Sequence, residues 1–216
     1  MNAADEAARI LLEIKAAYAY DGKTPFVFTS GRKSPVYVDI RKLISFPRAR
    51  ARLMDMAVEK ISRAAGYESV DAVAGGETAG IPFAAWIAER MGLPMLYVRK
   101  GPKGFGRMAQ IEGELKEGAR VVLVEDLATD GGSKINFINA LKSAGAEVKH
   151  TFVVFHYGNF PASRIKMAEL GVDLIELATW ADILRVAEAE GYFPPDVARE
   201  VAGFLADPDA WAAAQG

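Results

Sequence analysis

Cysteine is absent from the chain, histidine occurs twice, and the longest apolar run is IPFAAWIA at 81–88. Each scarcity excludes something. Without cysteine there are no disulfide frameworks, thiolate zinc sites, iron–sulfur clusters or thiol nucleophiles, and a reducing compartment fits. An apolar run that short falls well below the about 20 residues of a membrane span. The N-terminal stretch MNAADEAARILLEIKAAYAY carries Asp5 and Glu6 where a secretory signal would carry Lys or Arg, so the expectation is a soluble cytoplasmic protein with no membrane partner. Net charge is scarce too. Lys plus Arg is 26 and Asp plus Glu is 28, a balance of −2 that argues against a nucleic-acid partner. Two histidines and no cysteine predict no protein metal cage, while a Mg²⁺ held mostly through substrate phosphates stays compatible.

What is present is apolar and well mixed. Of 216 residues, 51% are hydrophobic and 25% charged, which excludes a disordered chain. A chain of this mass buries roughly 70% of its unfolded surface, enough for one core. The reading is a single domain over 1–216, with a hood over 1–45, a core sheet over 70–178 and a helical tail over 179–216.

The hydrophobic pattern predicts a helix over 3–20, with Ile10, Leu11, Ile14 and Tyr18 on one face. FVFTS (26–30) and PVYVDI (35–40) read as a hairpin, and 47–65 as a helix. From residue 70, short apolar strands alternate with helices: strands at 70–74, 95–98, 121–124, 148–155 and 173–177, helices at 81–91 and 134–144. That alternation predicts an α/β fold, a central parallel sheet flanked by helices, with an N-terminal helix–hairpin hood and a helical C-terminal tail. The tail opens on a Thr179-x-x-Asp182 capping box, and Pro194-Pro195 divides it into two pieces.

Ligands of open α/β sheets bind beyond the carboxyl ends of the strands. The richest segment there is VVLVEDLATDGGS (121–133). A buried strand runs into Glu125 and Asp126, then a loop, Leu127 to Ser133, leads into a helix N-terminus. Free N–H groups and the helix dipole make a phosphate cradle, which Gly131 and Gly132 let the main chain approach and to which Thr129 and Ser133 add hydroxyls. The two acids would repel phosphate and suit vicinal sugar hydroxyls, since carboxylates accept several hydrogen bonds. Phosphate and diol together describe a ribose 5-phosphate. The plain alternative is an ordinary βα turn with a capping residue.

RKGPKGFGRMAQ (99–110) places Arg99, Lys100, Lys103 and Arg107 within nine positions, broken by Gly101, Pro102, Gly104 and Gly106. It reads as a cationic flap able to close on an anion, against the alternative of a solvated basic loop. AGGETAG (74–80) pairs close-approach glycines with Glu77 and Thr78, though a plain turn reads as well. SGRKSPVYVDIRK (30–42) offers basic residues and Tyr37 as a stacking surface, or simply a charged surface hairpin. His150 reads as structural, and His156 stands at a strand end where it could edge the pocket.

These motifs resemble those of type I phosphoribosyltransferases. VVLVEDLATDGGS is similar to their ribose-5-phosphate motif. FTSGRKSPVYVDIRKLIS and RKGPKGFGRMAQIEG resemble the hairpin and the flexible catalytic loop of the orotate branch. The resemblance implies transfer of the phosphoribosyl group from 5-phosphoribosyl 1-diphosphate to orotate, giving orotidine 5′-monophosphate and diphosphate, with Mg²⁺ held mainly through the diphosphate. By the same resemblance, Glu125, Asp126, Leu127, Ala128, Thr129, Asp130, Gly131, Gly132 and Ser133 hold the phosphorylated ribose, with Thr129 also touching orotate. Arg99, Lys100 and Lys103 act on the diphosphate with Asp126 among the catalytic set, and Thr78 faces the diphosphate. Tyr37, Val38 and Arg41 frame the pyrimidine, and a homodimer shares the flap between subunits. The chain departs from the common pattern at Phe105, where relatives carry a flap histidine, at Thr29, where they carry lysine, and around His156, where they carry an arginine. Phosphoribosyl transfer to another base and a non-catalytic binding module are the alternative readings.

Overall fold

The first helix is capped by Asn2, whose side chain accepts the Asp5 N–H at 2.8 Å. The computed structural model describes residues 2–20, 24–28, 31–104, 106–129 and 132–214. In chain order these give α1 (Ala3–Glu13), β1 (Ala17–Ala19), β2 (Phe26–Val27), β3 (Lys33–Ser34), β4 (Val36–Val38), a 3-10 turn (Ile40–Ser45), α2 (Pro47–Ala65), β5 (Ala72–Gly76), α3 (Gly80–Met91), β6 (Met95–Val98) and β7 (Ile111–Glu112). There follow β8 (Arg120–Ala128), α4 (Gly132–Ser143), β9 (Glu147–His156), α5 (Ala162–Glu169), β10 (Asp173–Thr179), α6 (Trp180–Glu190), α7 (Pro195–Ala206) and α8 (Pro208–Ala214). None of the helices described is long and apolar enough to cross a membrane. Residues cluster into two compact units, one drawn from 1–49, 157–159 and 178–216, the other from 50–156 and 160–177.

In the first unit, the expected helix over 3–20 stops at Glu13. Lys15 N–H bonds Leu12 O at 2.9 Å and Ala16 N–H bonds Leu11 O at 2.8 Å, a Schellman closure that puts Lys15 at φ 53°. The chain then reverses, and Tyr18, which had fitted the helical spacing, faces Tyr37 as β1 pairs antiparallel with β4. The hairpin is also shorter than expected: β2 pairs with β3, while the 36–38 segment turns to β1 instead. Helix α1 buries Ala7, Ala8, Leu11 and Leu12, and α6 buries Trp180, Ile183, Val186 and Ala187. Arg9 Nε reaches both Glu190 oxygens at 2.8 and 2.9 Å, and Arg185 Nε reaches Asp5 at 3.0 Å, so opposite ends of the sequence are clasped together. The capping box forms, with Asp182 Oδ2 accepting the Thr179 N–H at 2.8 Å. Among the described residues the tail has three helices rather than two. A further break falls at Asp207–Pro208, and Trp211 of α8 donates its indole N–H to Glu200 of α7 at 2.6 Å.

The second unit is built on a six-stranded sheet in the order β10-β9-β8-β5-β6-β7. β5, β6, β8 and β9 run parallel, with Val73 opposite Met95 and Val122, and β7 is antiparallel to β6 at the edge. The strands are near-continuous apolar runs because helices cover both faces. β8 runs four residues beyond the expected 121–124, since β9 offers a ladder out to Ala128 opposite His156. Glu125 and Asp126 therefore lie inside the sheet rather than in a loop. After β5 the chain leaves to one side, toward β6; after β8 it leaves to the other, toward β9. The carboxyl ends of β5 and β8 thus flank a topological switch point.

Lys15 holds a left-handed angle that costs a side-chain-bearing residue roughly 1–2 kcal/mol. Lys15→Gly should raise unfolding stability by about 0.5–1 kcal/mol once the greater backbone entropy of glycine is subtracted. Urea titration of both proteins checks this, and an unchanged or lower midpoint would contradict it.

Candidate active site

The switch point brings two loops to adjacent strand ends in the second unit. At Gly76, which ends β5, and Gly80, which begins α3, the chain passes β8 at a separation that tolerates no side chain. A Cβ at Gly76 would collide with Glu125 Oε1, and one at Gly80 would collide with Val124 O. A Cβ at Gly75 would sit 2.8 Å from Gly80 O. The Glu77–Thr78 peptide is cis, and Thr78 is exposed at the tip.

Glu125 and Asp126 are each 7% exposed. Glu125 Oε1 finds no hydrogen-bond partner among the described residues. Burial pushes this carboxyl up to about 8; Lys134 opposes the rise and Asp126 adds to it. Asp126 Oδ1 accepts the Leu127 N–H at 2.9 Å. Lys134, 3% exposed, folds back so that Nζ donates to Leu127 O at 2.6 Å. A buried cation thus stands behind the acid pair. Sequence reasoning missed it, yet the signal exists: a lysine in the first turn of a helix opposes the helix dipole and needs another reason to be there. Thr129 is half-buried after Ala128, and α4 begins at Gly132. Asp130, Gly131 and the Ser133 side chain lie outside the described residues, as do Thr29 and Phe105.

The flap has a firm root. Arg99 N–H bonds Gln110 O at 2.8 Å, and the Gln110 side-chain amide returns to Arg99 O at 3.0 Å. Arg99 reaches toward Glu112 at 3.5 Å, and its Nε is buried without a hydrogen-bond partner among the described residues. Lys100 and Lys103 are exposed, and Arg107 pairs with Glu117. The arrangement puts Thr78, Glu125, Asp126, Thr129, Arg99 and Lys100 on segments at one edge of one sheet.

His156 does not edge a pocket. It is 1% exposed, and its Nε2 lies 2.7 Å from Ser163 Oγ. Burial, with Arg164 and Lys134 nearby, lowers it to about 4, so the ring is neutral near pH 7.

In the first unit, Tyr37 is 41% exposed, with Phe26 stacked at 5.7 Å and Tyr18 tilted at 6.2 Å. Val38 is buried at 2% exposure, opposite Ala17 of β1, and Arg41 is exposed. Tyr157 packs edge-on against Trp180, ring centroids 6.1 Å apart, and burial pushes its hydroxyl above the usual phenol range.

The switch point gathers an acid pair, a glycine loop and the start of α4. The phosphoribosyl transferase domain family matches residues 46–185. Orotate phosphoribosyltransferase of Dinoroseobacter shibae is 54% identical over 94% of this chain and 90% of its own length. That of Agrobacterium fabrum is 51% identical over 99% and 91%. The crystal structure of orotate phosphoribosyltransferase from Aeropyrum pernix matches with a TM-score of 0.71 and 33% identity, over 87% of this chain and 99% of that one. The chain therefore belongs to the phosphoribosyltransferase family, in its orotate phosphoribosyltransferase branch.

The raised Glu125 carboxyl sets a pH dependence with a definite sign. Between about 4.5 and about 8 the folded chain keeps a proton that the unfolded chain has released, so stability falls as pH rises through that window. His156 acts oppositely but finishes by its ordinary 6.5. From pH 6.5 to 8.5, Glu125→Gln should flatten the decline in thermal midpoint seen in the parent. A parallel decline in both proteins would exclude Glu125 as its source.

Proposed function

We propose that this chain transfers the 5-phosphoribosyl group from 5-phosphoribosyl 1-diphosphate to orotate, giving orotidine 5′-monophosphate and diphosphate, in pyrimidine biosynthesis. The observation that carries the reading is the buried Glu125–Asp126 pair at the end of β8, beside the loop that leads into α4. The loop from Thr129 to Ser133 takes the 5-phosphate, and Glu125 and Asp126, with Leu127 and Ala128 carrying them, take the ribose hydroxyls. A neutral Glu125 can donate as well as accept, which suits a diol. Thr78, Arg99, Lys100 and Lys103 face the diphosphate. Tyr37, Val38 and Arg41 in the first unit, and Thr129 in the second, are the residues for the pyrimidine.

The bond from the anomeric carbon to diphosphate breaks as the bond to the orotate ring nitrogen forms. Orotate brings that nitrogen as an anion, so no strong protein base is required. Positive character grows on the ribose ring and negative charge on the leaving group. Cations on the flap meet the growing charge and so stabilise the transition state more than the ground state. Closing the flap keeps water from the activated sugar.

Phosphoribosyltransferases of this kind generally use Mg²⁺ with the diphosphate substrate. Among the described residues, no group of three or more His, Asp or Glu side chains could hold a metal ion. The chain's donor set fits an ion carried by the diphosphate, whose charge it would offset, with the flap cations and Asp126 alongside. We further infer one functional domain over 1–216, a homodimer in which the flap serves the partner's site, and a cytoplasmic location.

Loss of orotate absorbance on adding 5-phosphoribosyl 1-diphosphate and Mg²⁺ tests the activity. A panel of nucleobases under the same conditions tests the acceptor, and preference for another base would replace orotate. Lys103→Ala should lower turnover by roughly tenfold or more while the thermal midpoint holds, as expected for a group that acts on developing charge. An unchanged rate would remove Lys103 from the mechanism.

A further inference from the structure

Glu77 is an electrostatic oddity. It is an acid in a glycine loop proposed to face a diphosphate, next to Thr78, where a negative charge repels the ligand. The structure shows where that carboxylate goes. Glu77 Oε2 accepts the Lys100 N–H at 2.7 Å, while the Glu77 N–H donates to Val98 O at 2.9 Å. The other side of Lys100 is held as well: Asn136 of α4 donates its side-chain amide to Lys100 O at 3.0 Å. Both polar main-chain groups of one residue are thus gripped by side chains from two different loop systems. Glu77 comes from the loop after β5, and Asn136 from the helix that follows the phosphate loop after β8.

The grip has a sharp end. Arg99 is fastened in both directions by Gln110, and Lys100 by Glu77 and Asn136. Immediately beyond come Gly101 and Pro102, both exposed. Fixing both peptide groups around Lys100 fixes its backbone angles, and with them the direction in which the flap leaves the sheet. A carboxylate accepting a main-chain N–H is among the stronger hydrogen bonds available to it, so the clamp can outweigh the chain entropy of ordering the root.

We propose that Glu77 and Asn136 are positioning residues that set the flap root at Lys100 and so couple the flap to both anion loops. This rests on the phosphoribosyl-transfer reading. Neither residue is assigned contact with substrate; each acts through the Lys100 peptide groups.

The test uses the full chain and its Glu77→Ala, Glu77→Gln, Asn136→Ala and Glu77→Ala/Asn136→Ala variants, each checked for an unchanged thermal midpoint. Steady-state kinetics with orotate and 5-phosphoribosyl 1-diphosphate should show kcat reduced about tenfold in each alanine variant with both KM values within about threefold. Glu77→Gln keeps an oxygen for the Lys100 N–H and should recover most of kcat. Because both side chains hold one residue, the double variant should lose less than the product of the two single losses. Limited trypsin cleavage after Lys100, Lys103 and Arg107, without ligand, should be faster in the alanine variants. That readout needs no turnover. A parent that fails to consume orotate overturns the functional reading while the cleavage rates still judge the clamp. Unchanged kcat and cleavage, a Glu77→Gln variant as impaired as Glu77→Ala, or fully multiplicative losses would overturn the proposal.

Discussion

The close packing of the β5–α3 loop against β8 is the constraint on which the site depends. It exists because Gly75, Gly76 and Gly80 leave hydrogen where any other residue would put carbon into Glu125, Val124 or the loop itself. The space above Gly76 is filled by the Glu125 carboxyl. Remove that space and the acid must leave the sheet, β8 must separate from β5, and the two loops part. The raised affinity of Glu125 for a proton follows from the same packing: the group is enclosed by apolar and main-chain atoms, with Lys134 compensating only in part.

Charge at the site is segregated by depth. The acids and Lys134 are buried in the end of the sheet, whereas Lys100 and Lys103 are exposed on the flap. Burial fixes these groups in place and leaves Glu125 protonated near pH 7. Exposed lysines on a glycine-broken segment are well hydrated, and their side chains can be reoriented at little cost. A near-zero net charge therefore conceals a local separation of acidic and basic groups.

Much of this was legible in the residues. Short apolar strands with helices between them announced the parallel sheet. What failed to show was long-range. Tyr18 kept helical spacing by coincidence, and nothing local foretold that Lys15 would accept a left-handed angle. The extension of β8 through the acids depended on β9 offering a partner as far as His156. The roles of Glu77, Asn136 and Lys134 depend on side chains meeting main-chain groups 23, 36 and 7 positions away. His156 looked like a rim residue because it ends a strand, but the packing of Ser163 encloses it.

The clasp between α1 and α6 has a consequence for how the chain is made. Arg9 waits for Glu190, and Asp5 for Arg185, across separations of 181 and 180 residues. The sheet unit is nearly continuous in sequence and can assemble while the chain is still being synthesised. The unit that carries Tyr37 cannot, because its helical partners are the last segments to emerge. In a nascent chain the sheet unit would therefore be complete before the unit that carries Tyr37.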